Sequence, residues 1–188
     1  MRELTVDLFS TVDGWLRGRN SAAYFGYDGP ELQAWIAGQL ARPHVTLMGA
    51  NTYRALAQFA AAGDDPASKR MDELPKVVFS KSLKQPLTWS NTTQVTEDAA
   101  IAIPAMKQEP GDPLRVIGSR SLVRSLFRLR HVDRVRLMVF PQVLGETGEE
   151  RLFEGLPDIN VRLVSTEVLD RRLVLLEYAP EQSPAQST

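Results

Sequence analysis

The chain has 188 residues, 43% of them hydrophobic and 24% charged, the size and balance of one domain with a buried core. Its 22 basic and 23 acidic residues leave a formal charge of −1, with no basic block to neutralise a phosphate backbone, which excludes nucleic acid as a partner. Nothing approaches the roughly 18 uninterrupted apolar residues of a membrane span, and Met1-Arg2-Glu3 leads straight into a strand, so no membrane partner and a cytoplasmic location are expected.

The apolar run of residues 4–9 predicts a strand that ends in the turn Asp13-Gly14. Residues 17–29 read as a long surface loop. Pro30-Glu31 suits the first turn of a helix, and Leu32, Trp35, Ile36 and Leu40 follow at helical spacing. A second strand over 45–48 runs through Gly49 into the helical pattern Tyr53, Leu56, Ala57, Ala60, which residues 63–66 terminate. A third strand covers 76–79 and breaks at Ser80-Lys81-Ser82. A short strand over 93–96 precedes a helix over 98–109, in which Pro104 predicts a kink or a broken start.

Residues 114–117 form the next strand, stopped by Gly118-Ser119, and Leu122, Val123, Leu126 and Phe127 make the face of the following helix. From residue 132 the pattern changes to strands over 135–140, 161–169 and 173–178, with Asp170-Arg171 as a hairpin turn. Alternating strands and helices imply an α/β fold: a mostly parallel central sheet with helices on both faces and antiparallel strands at its C-terminal edge. Residues 1–179 make a single domain, and residues 180–188, rich in Pro, Gln and Ser, a disordered tail.

With no cysteine, and with His44 and His131 in different segments, neither a thiolate nucleophile nor a metal site is expected. Chemistry then falls to a cofactor or to carboxylates. In a parallel sheet, ligands gather outside the carboxyl ends of the strands, where helix N-termini favour anions. Three such ends here carry small or hydroxyl residues: Gly49-Ala50-Asn51-Thr52, Ser80-Lys81-Ser82 and Gly118-Ser119-Arg120-Ser121. A fourth, Thr11-Val12-Asp13-Gly14, lies beside them. Each suits a phosphate or ribose drawn close to the main chain, although neither a Gly-x-Gly-x-x-Gly nor a P-loop pattern is present.

Ser/Thr-x-Asp-Gly after the first strand, Leu-Met-Gly-x-x-Thr-Tyr after the second and Ile-Gly-Ser-x-x-Leu after a later one occur here in an order that resembles the dihydrofolate reductase-like superfamily. The chain is most similar to the subgroup named for the reductase domain of the bifunctional riboflavin-biosynthesis deaminase-reductase. Leu74 to Ser80, Lys107 to Gly111, Pro141 to Gly145 and Arg151-Leu152-Phe153 extend the likeness.

The resemblance implies an NADPH-dependent reductase of a small heterocyclic substrate, with a homodimer formed through the C-terminal strands. Gly49, Ala50, Asn51 and Thr52, together with Gly118, Ser119, Arg120, Ser121 and Leu122, would hold the phosphates. Ser80 and Lys81 would lie at the adenosine end, and Thr11 and Gly14 at the nicotinamide. Asp13 is the candidate catalytic acid or substrate-orienting group.

Ala50 replaces the arginine usual in the family, which opens the site to NADH unless Arg54 or Lys81 supplies the charge. The acid that a folate reductase places after the first loop is replaced by Ala22-Ala23, leaving Asp28 or Glu31 as substitutes. The nearest named activity is therefore 5-amino-6-(5-phosphoribosylamino)uracil reduction. A reductase of another pterin, quinone or carbonyl compound and a non-catalytic nucleotide-binding protein stand as alternatives. Arg17 and Arg19 are candidate contacts to a phosphorylated ribose, and Trp15, Tyr24, Phe25 and Trp35 to a flat ring.

Overall fold

The computed structural model describes residues 1–151 and 153–181. Leu152 and most of the expected tail lie outside them. Strand β1 (Leu4–Thr11) is followed by β2 (Trp15–Gly18), α1 (Pro30–Ala41), β3 (Val45–Gly49), α2 (Ala50–Ala62), α3 (Pro66–Glu73) and β4 (Lys76–Phe79). Then come β5 (Thr92–Val95), α4 (Ala99–Gln108), β6 (Leu114–Val116), α5 (Arg120–Arg128), β7 (Arg134–Phe140), β8 (Gly148–Arg151), β9 (Val161–Leu169) and β10 (Leu173–Pro180).

Eight strands form one sheet in the order β5-β4-β3-β6-β1-β7-β10-β9. The first six run parallel and the last two join antiparallel, which is the expected α/β arrangement. β1 lies near the middle and is buried along almost its whole length, as a strand covered on both faces must be. Leu4, Val6 and Leu8 pack with Ile103 of α4 and Leu122 and Leu126 of α5. On the opposite face Phe9, Met138 and Phe140 pack with Leu32 of α1, and farther along that face Met48 and Val78 pack with Tyr53 of α2.

The face under α1 also carries charge. Asp7 of β1 lies between Arg115 of β6 and Arg136 of β7: Arg115 Nε donates to its Oδ2, and Arg136 Nε forms an ion pair with its Oδ1 at 2.8 Å. These side chains are only 4%, 11% and 13% exposed. Arg136 also donates to Gln39 of α1 and packs against Trp35. The carboxylate thereby ties the central strand to both of its neighbours.

Several expectations are corrected. The loop expected over 17–29 begins with β2, which pairs antiparallel with β8 in a separate two-stranded sheet, Trp15 opposite Arg151 and Arg17 opposite Glu149. Its partner is more than a hundred residues away, beyond any local pattern. Helix α3 was not expected, although Asp65 caps it through the amides of Ala67 and Ser68 and Pro66 opens it. α4 runs unbroken across Pro104, and β10 extends two residues beyond the predicted strand to Pro180. The Asp170-Arg171 turn forms as predicted, with both residues at positive φ, and it also caps α1: the Asp170 carboxylate accepts from the amides of Glu31 and Leu32.

Replacing Asp7 with alanine would leave two buried guanidiniums without their counter-charge, a loss of about 3–5 kcal/mol. Urea unfolding of Asp7→Ala checks this, and a loss below about 1 kcal/mol would remove the carboxylate from its central place.

Candidate active site

The carboxyl ends of β1, β3, β4 and β6 open at one end of the sheet. At its centre the turns after β3 and β6 meet, where the Gly49 amide donates to the Gly118 carbonyl at 3.2 Å. A Cβ on Gly49 would collide with the Ser119 side chain, and one on Gly118 (φ +130°) would come within 2.7 Å of Thr52 Oγ1. Both glycines therefore allow the two turns to approach each other, a reason more specific than ligand access.

The starts of α2 and α5 face this junction. Neither carries a side-chain cap, and the Ser119 hydroxyl is engaged instead with the Ser121 hydroxyl at 2.9 Å. The other three α-helices among the described residues each hold a carboxylate on their first amides: Asp170 on α1, Asp65 on α3 and Asp98 on α4. The first amides of a helix have no intrahelical acceptor and carry partial positive charge. Two uncapped starts side by side suit a diphosphate.

A cleft of about 380 Å³ adjoins these starts. It gathers Gly49, Ala50, Asn51, Ser80, Lys81, Ser119, Ser121 and Leu122, all named from the sequence. Ser82 of the same named turn lines it too, and Phe79, Ala99 and Ser125 are added, of which Ser125 carries a sequence signal at the i+4 position from Ser121. Thr52, Gly118 and Arg120 flank the cleft without lining it. Arg120 Nη1 lies 3.8 Å from Glu154. Of the two cations proposed to replace the arginine lost at Ala50, Lys81 lines the cleft, whereas Arg54 donates to Asn51 Oδ1 at 3.1 Å on the exposed side of α2.

Thr11 and Gly14 line a second cleft of about 550 Å³ with Ser10, Leu137, Val139 and Phe153. The β7 and post-β8 contributors carry no local sequence signal, because they reach β1 only through strand pairing and the β2–β8 contact. Asp13, the candidate catalytic group, does not itself line this cleft. Its carboxylate accepts from the Thr11 hydroxyl at 2.7 Å and from the amides of Leu144 and Gly145 at 3.1 and 2.8 Å. The Thr11 bond, followed by the two amides, holds its pKa down at about 2, so it is ionised at neutral pH and fits an anchor better than a proton donor.

The remaining candidates are placed elsewhere. Arg17 pairs with Glu149 at 3.1 Å, and the Arg19 amide donates to the Thr147 carbonyl. Asp28 accepts from Gln33, and Glu31 accepts from the Asp170 amide, so neither replaces the missing folate-binding acid. Trp15 stacks beneath the Arg151 guanidinium at 4.0 Å. Tyr24, Phe25 and Trp35 join an aromatic cluster under α1. His44 is buried with Nδ1 at 2.8 Å from the Arg42 carbonyl. Among the described residues, no three His, Cys, Asp or Glu side chains are grouped to hold a metal, and no helix is long and apolar enough to cross a membrane.

Comparison with known proteins agrees with this architecture. The protein YyaP of Bacillus subtilis is 26% identical over 185 residues, 94% of each chain. A pyrimidine reductase-like protein from Corynebacterium diphtheriae superimposes with a TM-score of 0.70 at 15% identity, over 97% of this chain and 93% of its own. Dihydrofolate reductase from Enterococcus faecalis, solved with NADP(H), superimposes with a TM-score of 0.63 at 11% identity, over 96% and 97%. The fold is thus dihydrofolate reductase-like. Residues 2–175 match the model of the RibD C-terminal domain, and the chain belongs to that family of reductase domains, which typically use NADPH.

Proposed function

We propose that the protein is an NAD(P)H-dependent reductase of a small heterocyclic substrate in the cytoplasm, with 5-amino-6-(5-phosphoribosylamino)uracil reduction as the nearest named activity. The carrying observation is the pair of uncapped helix starts, α2 and α5, beside a serine-lined cleft, where the other α-helices among the described residues are capped by carboxylates. The amides of Ala50, Asn51 and Thr52 and those of Arg120, Ser121 and Leu122 would hold the diphosphate, and Ser80 and Lys81 the adenosine end. A nicotinamide cofactor supplies hydride to an electron-poor carbon of the substrate. The protein's own contribution is to align the reactants and exclude water.

Lys81 gives the cleft its cationic side chain where Ala50 gives none, which favours NADPH over NADH. Titration by fluorescence is expected to show tighter binding of NADPH. Lys81→Ala should weaken NADPH about tenfold while changing NADH by less than about twofold. Equal losses would exclude Lys81 as a reader of the 2′-phosphate, and binding of both nucleotides without oxidation by any candidate heterocycle would exclude the enzyme.

Asp13 acts as a positioning residue in this reading, clamping the turn after β1 to residues 144–145. Asp13→Asn should lower kcat/KM while leaving the pH profile of kcat unchanged. Loss of an ionisation from that profile would instead make Asp13 the proton donor.

A homodimer completes the proposal. β9 ends the sheet with an unpaired edge and exposed Val161, Leu163, Val164 and Val168, the kind of strand that a second copy covers. Sedimentation equilibrium should give twice the chain mass, and Val168→Lys should return it to one. A monomer at micromolar concentration would overturn this.

A further inference from the structure

The two halves of the segment between β4 and β5 are held by different means. Its far half is anchored on the helices: the Thr88 and Trp89 amides donate to the Tyr53 hydroxyl of α2 at 3.0 and 3.2 Å, and Trp89 Nε1 donates to Asp72 of α3 at 2.6 Å. Its near half, residues 80–87, includes the exposed Lys81 that lines the cleft. Among the described residues, Gln94 of β5 is the one side chain outside the segment that hydrogen-bonds to this half.

Both ends of the Gln94 amide are engaged. Nε2 donates to the Ser80 carbonyl at 2.9 Å and to the Leu83 carbonyl at 3.3 Å, bridging the two ends of the turn that carries Lys81. Oε1 accepts from Gln85 Nε2 at 2.7 Å, and Gln85 Oε1 in turn accepts from the Leu87 amide at 3.1 Å. Carbonyls cannot donate, so the Gln94 amide has one orientation.

Inside the turn, the Ser80 hydroxyl accepts from the Ser82 and Leu83 amides at 3.1 and 3.2 Å. Those amides are spent on the turn itself, so a phosphate reaching it is met by the Lys81 side chain rather than by them. In this the turn differs from the starts of α2 and α5. Lysine is a point charge on a flexible stem, and its hold on a phosphate depends on where the backbone starts that stem. Gln94, half-buried and outside the lining of the cleft, sets the start.

We propose that Gln94 is a positioning residue for cofactor choice: by closing the turn from Ser80 to Leu83 it holds Lys81 at the adenosine end of the cleft, so that preference for a 2′-phosphate depends on a side chain that touches no nucleotide. The preference rests on the reading of Lys81 given above. The clamp rests on the hydrogen bonds just named.

Gln94→Leu keeps the size of the side chain and removes the clamp. In the free protein, amide hydrogen exchange at Ser82 and Leu83 is expected to quicken at least about tenfold, with Thr88 and Trp89 unchanged. Calorimetric titration with 2′,5′-ADP should show binding weakened about fivefold, against less than about twofold for 5′-ADP, which lacks the 2′-phosphate. On the Lys81→Ala background the same substitution should cost 2′,5′-ADP less than about twofold, because the charge it positions is gone. A structural role alone would weaken both nucleotides alike and persist on that background. Either result overturns the proposal, as does unchanged exchange. Gln85→Ala, at an exposed position off β5, frees Gln94 Oε1 and should shift exchange and selectivity the same way to a smaller extent; it decides the question if Gln94→Leu does not fold. If Lys81→Ala costs the two nucleotides equally, the reading of Lys81 fails and the selectivity role with it, and the exchange result separates that outcome from failure of the clamp.

Discussion

The arrangement depends most on one buried carboxylate. Asp7 sits on the central strand between guanidiniums from the strands on either side, and its register partner Arg136 leans on α1 through Gln39 and Trp35. A buried charge group of this kind adds little net stability compared with an apolar core, but a slipped register would strand it unpaired. Its effect is to fix how far β6 and β7 advance along β1. The carboxyl ends at Thr11, Val116 and Phe140 are set by that register, and with them the turns that make the clefts.

From that alignment the electrostatics of the cleft follow. β3 pairs with β6, so the turn carrying Gly49 meets the turn carrying Gly118, and two helices start side by side. Elsewhere the chain places a carboxylate on its helix starts, even recruiting Asp170 from a distant hairpin for α1. Leaving α2 and α5 without one costs some helix stability and leaves the positive ends of two dipoles directed at one place. Asp13, anchored on residues 144–145, holds the neighbouring turn against the same end of the sheet.

Much of this was legible in the sequence, and the divisions have physical causes. The strands over 76–79 and 161–169 and the Asp170-Arg171 turn follow from local patterns, and the structure reproduces them. The cleft residues from Gly49 to Ser121 were legible because each lies just after a strand, where parallel topology puts ligands. β2 and β8 were not legible, since each is four residues long and gains its partner from far away. Helix α3 had its Asp65-Pro66 signal but few apolar residues to show a buried face. The roles of Asp7 and Asp13 depend on partners more than a hundred residues distant. Local reading makes Asp13 a turn residue or an acid, and only the fold shows which groups bind its carboxylate.

The central claim is that the two uncapped helix starts bind the cofactor's diphosphate. Amide chemical shifts of the protein titrated with NADPH test it most directly. The account predicts the largest changes at Asn51, Thr52, Ser121 and Leu122, with the carboxylate-capped amides Ala67, Ser68 and Ala100 unmoved. Changes spread evenly over all helix starts, or absent from α2 and α5, would contradict it.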